Sequence, residues 1–152
     1  MFRGINKVSL DSSGRMALPT KFRESVLTGC TGSLVVTIDT KERCLLLYPL
    51  PEWEHVQERL ERLSNIRASA RLLQRMLIGH ATDVELDANG RVLVPQMLRD
   101  YANLSKKLVV LGQGNKIEIW SDQHWHERME MWLAEGLETS FDDLGDLEDL
   151  SV

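Results

Sequence analysis

Residues 8–23 read VSLDSSGRMALPTKFR and residues 84–99 read VELDANGRVLVPQMLR, two stretches that align without a gap at an offset of 76. They share Val8/Val84, Leu10/Leu86, Asp11/Asp87, Gly14/Gly90, Arg15/Arg91, Pro19/Pro95 and Arg23/Arg99. Seven pairs in register mark an internal duplication. Each shared residue also has a backbone reason to be there. Asp11 and Asp87 accept hydrogen bonds from amides ahead of them, and Gly14 and Gly90 supply the positive φ that closes the turn. The short apolar runs on either side, residues 8–10 and 16–18 in the first copy, read as a tight hairpin. Pro19 and Pro95 suit the first turn of a helix, where a missing N–H costs nothing. Phe22, Val26 and Leu27, and likewise Leu98, Tyr101 and Ala102, give those helices one apolar side.

Working outward, residues 34–38 and 44–48 flank a polar turn, and residues 108–111 and 116–120 flank residues 112–115. Each copy is therefore hairpin, helix, hairpin. The GQG at residues 112–114 lacks the third glycine and following helix of a nucleotide loop, so it reads as a hairpin turn. Pro51 opens a helix striped with Trp53, Val56, Leu60 and Leu63, and Leu72, Leu73, Met76 and Leu77 form a second stripe. Trp125, Met129 and Trp132 recur at helical spacing after a Ser121 or Asp122 cap. The chain divides into a first module over 5–51, a helical connection over 52–80, a second module over 81–124, and a terminal helix with an acidic tail over 125–152. The fold class is mixed α+β, mainly β.

A chain of 152 residues, 43% hydrophobic, fills an ordinary core. Nothing approaches the roughly 18 consecutive apolar residues of a membrane span, and the opening MFRG lacks the apolar centre of a secretory signal, so a cytoplasmic protein is expected. Cys30 and Cys44 form no C-x-x-C pair and have no histidine at ligand spacing; both read as core thiols, with no disulfide framework and no metal site. The net charge of −5 is unevenly spread. Residues 135–152 carry seven acidic groups and no Lys or Arg, and without them the body stands at +2. The tail reads as a solvated end or as an acidic arm that competes for a basic face.

The duplicated D-x-x-x-R turn followed by proline and a helix resembles the MraZ family of bacterial transcriptional regulators. The opening MFRG, residues 10–15, 86–91 and 95–99, and Glu118 to Trp120 all look like family segments in family order. The resemblance implies a double-split β-barrel of the AbrB type, in which the two modules interleave their hairpins as two chains would in a dimer. It further implies ring-like homo-oligomers, nucleoid-associated, that bind repeated boxes in double-stranded promoter DNA of the division and cell-wall gene cluster, including the regulator's own promoter. No cofactor and no small-molecule substrate is implied.

The resemblance places the D-x-x-x-R segments at the DNA surface, and charge ranks the two copies. Residues 7–24 sum to +2 through Lys7, Arg15, Lys21 and Arg23 against Asp11 and Glu24; residues 83–100 sum to −2. Phosphate attraction grows with each cation, so the first copy is expected to dominate, with Arg15 as principal reader. A guanidinium reaches guanine O6 and N7 with two parallel hydrogen bonds, which Lys does not imitate. Arg3, Lys7, Lys21 and Arg23 are candidate phosphate positioners, and Arg91 is a further candidate contact. The competing structural reading is that Asp11 with Arg15, and Asp87 with Arg91, are salt bridges that stiffen each turn. Catalysis finds no support: His124 and His126 are two apart on a helix and point in different directions, and no nucleophile sits beside a base. The alternative function is an oligomeric scaffold without DNA binding, which uses the Trp125 to Trp132 stripe and the acidic tail to hold protein partners.

Overall fold

The protein is described here by a computed structural model covering residues 1–136; the acidic tail beyond Gly136 lies outside the described residues. Along the chain run β1 (Phe2–Ser9), β2 (Arg15–Ala17), α1 (Thr20–Cys30), β3 (Ser33–Ile38), β4 (Leu45–Pro49), α2 (Leu50–Glu61), α3 (Ala68–Leu77), β5 (Thr82–Glu85), β6 (Arg91–Leu93), α4 (Gln96–Tyr101), β7 (Lys107–Gly114), β8 (Ile117–Ser121) and α5 (Asp122–Glu135). The second hairpin of each copy forms, with Val36 opposite Leu47 in β3–β4 and Val110 opposite Ile119 in β7–β8. Residues 112–114, expected as the turn of the latter, instead continue β7 opposite Gly4, Arg3 and Phe2 of β1, which moves the turn to residues 115–116.

The first hairpins do not form, because the strands flanking each Asp-Gly turn pair with the other copy. A bridge between Leu10 and Met16 closes the first turn. Beyond it β1 pairs antiparallel with β7, Phe2 opposite Gly114 and Ser9 opposite Lys107, while β2 pairs with β6, Met16 opposite Val92. The counterpart strand β5 pairs with β3, Val84 opposite Leu34. The resulting six-stranded sheet has the order β1-β7-β8-β4-β3-β5, which reads the same from either end once the copies are exchanged, and β2–β6 forms a separate two-stranded ribbon. This is the interleaving that the family resemblance implies, and burial explains it. A lone two-stranded hairpin has nothing to cover its apolar face. The exchanged ribbon instead lays Met16 and Val92 in one core with Leu34, Leu47, Val110 and Ile119 of the sheet, all at most 1% exposed.

The helices close this core. Phe22 and Val26 of α1 and Leu98 of α4 are buried in it, and Phe22 meets Phe2 edge to face at 5.4 Å. Leu27, read as part of the apolar side, is instead 54% exposed, because the stripe that faces the core runs through Phe22, Val26 and Cys30. Pro19 and Pro95 sit one residue before their helices rather than in the first turn, and their carbonyls accept the amides of Phe22 and Arg23, and of Leu98 and Arg99. On the opposite face of β3–β4, Val35, Leu46 and Tyr48 pack with Trp53 and Leu60 of α2 and with Leu73 and Leu77 of α3. Buried Thr37 donates to Leu77 O at 2.7 Å, tying α3 to the sheet. Leu72 turns outward, 55% exposed, since Leu73 and Leu77 take the packed face. Cys44 is buried and Cys30 half-buried, both as free thiols. Within α5, Trp125 and Trp132 meet edge to face at 6.0 Å with Arg128 over the Trp132 ring.

Residues Met1–Asp122 form one compact unit. Met16→Ala, which empties a fully buried position of the ribbon, should cost about 2–5 kcal/mol in urea denaturation followed by circular dichroism. Because β2 belongs to a ribbon completed by the other copy, the two copies should lose structure in a single transition. A mutant in which one copy melts while the other persists would contradict the exchange.

Candidate nucleic-acid interface

Each turn is built on its aspartate. Asp11 Oδ1 accepts the Ser13 amide at 2.9 Å, the Ser13 hydroxyl at 2.6 Å and the Arg15 amide at 2.9 Å. Asp87 Oδ1 accepts the Asn89 amide at 2.8 Å and the Arg91 amide at 2.9 Å. Gly14 and Gly90, at φ 89° and 74°, each donate back to the aspartate carbonyl at 3.0 Å. One carboxylate oxygen is thus committed to the loop backbone, and Oδ2 is left for a cation.

That cation comes from the other copy. Arg91 NH1 donates to Asp11 Oδ2 at 2.9 Å, and Arg15 Nε stands 4.0 Å from Asp87 Oδ2. Neither turn closes a side-chain salt bridge onto itself; the two are cross-coupled. Antiparallel pairing of β2 with β6 sets this up, since Met16 and Val92 point inward while Arg15, Ala17, Arg91 and Leu93 take the outward face. The arginine side chains remain 42% and 39% exposed, open to a large ligand. The pairing is not symmetric. Arg91 is directly bonded, and its Nε is buried without a hydrogen-bond partner among the described residues. Among the described residues, the Arg15 side chain is held by the Ser13 hydroxyl at 3.1 Å and the longer approach to Asp87.

Both carboxylates are made more acidic by these contacts. Asp11 falls from its ordinary 3.8 to about 2, first through the Ser13 hydroxyl, then the Arg15 amide, with the Ser13 amide and the Arg91 charge adding, against some desolvation. Asp87 is lowered chiefly by the Arg91 amide, then by Asn89 and by the charges of Arg91 and Arg15. At neutral pH the four side chains are therefore all charged and balance one another. Positive surplus comes from Arg23 and Arg99, which lie against the turn glycines of the opposite copy.

The sequence-derived candidates are divided by this geometry. Arg15, Arg91 and Arg23 come together at the ribbon, with turn residues Asp11, Gly14, Asp87 and Gly90. Arg23 donates through Nε to Leu18 O at 2.5 Å, so it is partly spent on the fold. Arg3 and Lys7 are exposed on β1, alternating with Phe2 and Val8, which pack with the ribbon's core; they therefore occupy the sheet face turned away from the ribbon. Lys21 is exposed on α1, its Nζ 5.3 Å from the Phe22 ring centroid and beside Gly4 of β1. Sequence reasoning missed Arg99, although it is the repeat partner of Arg23, because the acidic window around it hid its charge. It also missed Ser13, whose hydroxyl links Asp11 to Arg15. A second polar group, Asp39, Cys44 and Glu118, has its ligand atoms within 4.8 Å of one another. Its acceptors already take the Cys44 thiol, the Lys41 amide and Trp120 Nε1. Burial, with the neighbouring carboxylates adding, pushes the thiol well above its ordinary range, so the group reads as a hydrogen-bonded seam between the copies.

The Asp11 shift carries a pH signature. A carboxyl more acidic in the folded than in the unfolded chain adds stability that is complete above about pH 4 and disappears as pH falls toward 2. Asp11→Asn keeps an oxygen for the loop amides but loses the charge. The wild-type melting temperature should exceed that of Asp11→Asn at neutral pH, and the two curves should converge through this acid window. A gap that stays constant down to pH 2 would refute the assigned acidity.

The family model described as "MraZ protein, putative antitoxin-like" matches the chain twice, over residues 1–76 and 77–146. Proteins named transcriptional regulator MraZ are similar along its length. The Halorhodospira halophila protein is 46% identical over 152 residues, all of both chains, and the Coxiella burnetii protein 47% over the same span. The Legionella pneumophila protein is 53% identical over 135 residues, 89% of each chain. The duplicated Asp-turn-Arg unit, its exchange of strands between copies and these full-length relatives agree: the chain belongs to the MraZ family.

Proposed function

We propose that this protein regulates transcription by binding promoter DNA through the outward face of the β2–β6 ribbon, with Arg15 as principal reader. The observation that carries this reading is the cross-coupled quartet of Asp11, Arg15, Asp87 and Arg91 on a two-stranded ribbon, its guanidinium groups half exposed. A ribbon of this kind fits the major groove of B-form DNA. Arg15 gives up only a hydroxyl bond and a long ion pair when it turns to a guanine edge or a phosphate, whereas Arg91 must leave a direct bond to Asp11. That difference favours the first copy, as its charge does. Arg23, and Arg3, Lys7 and Lys21 where a bent or wrapped duplex reaches them, serve as phosphate positioners. The names of the relatives support the regulatory role.

One ribbon offers few contacts, so useful affinity comes from several linked subunits meeting repeated boxes, which makes later binding events intramolecular. In this reading the protein acts as a homo-oligomer in the cytoplasm at the nucleoid, on boxes upstream of the division and cell-wall cluster that include its own promoter. It needs no cofactor and performs no catalysis. The scaffold reading rests on the Trp125 to Trp132 stripe of α5, beside which Met131 and Leu133 are exposed; a scaffold would leave promoter fragments unshifted at low salt. An antitoxin-like role fits less well, because two units per chain already supply the partner that a single-unit binder must find.

Arg15→Ala should cost about 1–3 kcal/mol of binding to promoter DNA in fluorescence anisotropy across a salt series. Arg91→Ala should lose less. Unchanged affinity and salt slope for Arg15→Ala would remove Arg15 from the interface.

A further inference from the structure

Arg99 is the point at which the second copy grips the first turn. A Cβ built on Gly14 would fall 2.7 Å from Arg99 Cζ and 2.9 Å from its NH1, so the guanidinium lies directly against the glycine. The arrangement repeats with Arg23, whose Cζ would be 2.6 Å from a Cβ on Gly90. Each turn glycine is also held through its carbonyl by the other copy: Gly14 O accepts the Val94 amide at 2.9 Å, and Gly90 O accepts the Leu18 amide at 3.0 Å. Glycine is therefore required twice over, for its positive φ and for the room it leaves a guanidinium. Arg99 Nε is buried without a hydrogen-bond partner among the described residues, a desolvation cost that Arg23 avoids by bonding Leu18 O. What sets Arg99 apart from Arg23 is this buried, unbonded Nε, which leaves packing against Gly14 as the contact that places its guanidinium.

We infer that Arg99 is a positioning residue for Arg15: lying on Gly14, it fixes the tilt of the 11–15 turn and so where the Arg15 side chain stands on the ribbon. The inference rests on the DNA-binding reading of that ribbon. It requires the planar guanidinium rather than its charge, since a lysine's flexible stem and compact ammonium do not cover a peptide plane.

The test uses Arg99→Lys and Arg99→Gln in the full chain, binding a promoter fragment by fluorescence anisotropy over a salt series. Both should weaken binding by about tenfold or more. Both should leave the slope of log affinity against log salt at the wild-type value, and neither should weaken Arg15→Ala further. Wild-type affinity in Arg99→Lys would overturn the inference. So would a slope reduced by about one in Arg99→Gln, which marks a phosphate contact. Should a variant fail to fold, nuclear Overhauser contacts in the wild-type protein decide: Arg99 Nε–H must lie close to the Gly14 α-protons, and their absence overturns the inference. If wild-type protein does not bind promoter DNA at all, the functional reading falls, while the Overhauser contact still judges the placement of Arg99.

Discussion

The pairing of β2 with β6 is the constraint on which the rest of this structure depends. Three residues from each copy form that ribbon, and only together do they present a buried face, Met16 and Val92, and an outward one, Arg15 and Arg91. Once the ribbon is fixed, β1 and β5 must run on into the hairpin of the opposite copy, and the six-stranded sheet follows. The duplication thus gives one unit with an internal two-fold relation. Its consequence is an almost symmetric outward face, Arg15 and Arg91, supplied by a single chain.

Electrostatics sharpens that surface. Each aspartate uses one oxygen to shape its own loop and the other to hold the arginine of the neighbouring loop. Neither turn can shift without disturbing the other, so the two guanidinium groups are presented at a set spacing. The cost of mutual neutralisation falls unequally, because Ser13 supplies a hydroxyl where Asn89 supplies only a backbone amide to its aspartate. Small differences between copies thereby leave Arg15 with a hydroxyl bond and a long ion pair and Arg91 with a direct bond to a carboxylate, within an almost symmetric frame.

Much of this was legible in the residues, and the limits have physical causes. The turn geometry of Asp11 to Gly14, the hairpins β3–β4 and β7–β8 and the helices after the prolines depend on neighbours a few positions away, and their signals are local. The strand exchange is not local: Met16 and Val92 are equally apolar whichever strand they face, so nothing within one copy selects the partner. For the same reason Arg15 and Asp11 looked like partners at a spacing of four, although the bonded carboxylate of Arg91 lies in the other copy. Counting charge over a window joined Lys7 to Arg15, and Arg3 was grouped with them as a cation of the same end, when two-residue alternation along β1 sends both to the opposite face. It also concealed Arg99 within a window whose charges sum to −2.

The central claim is that the two turns form one DNA-contacting unit. Hydrogen–deuterium exchange of the full-length protein, with and without a promoter fragment, tests it most directly. The account predicts that amides of residues 11–15 and 87–91 gain protection together, while those of α3 do not change. Protection confined to a single turn, or found along β1 with both turns unaffected, would contradict it.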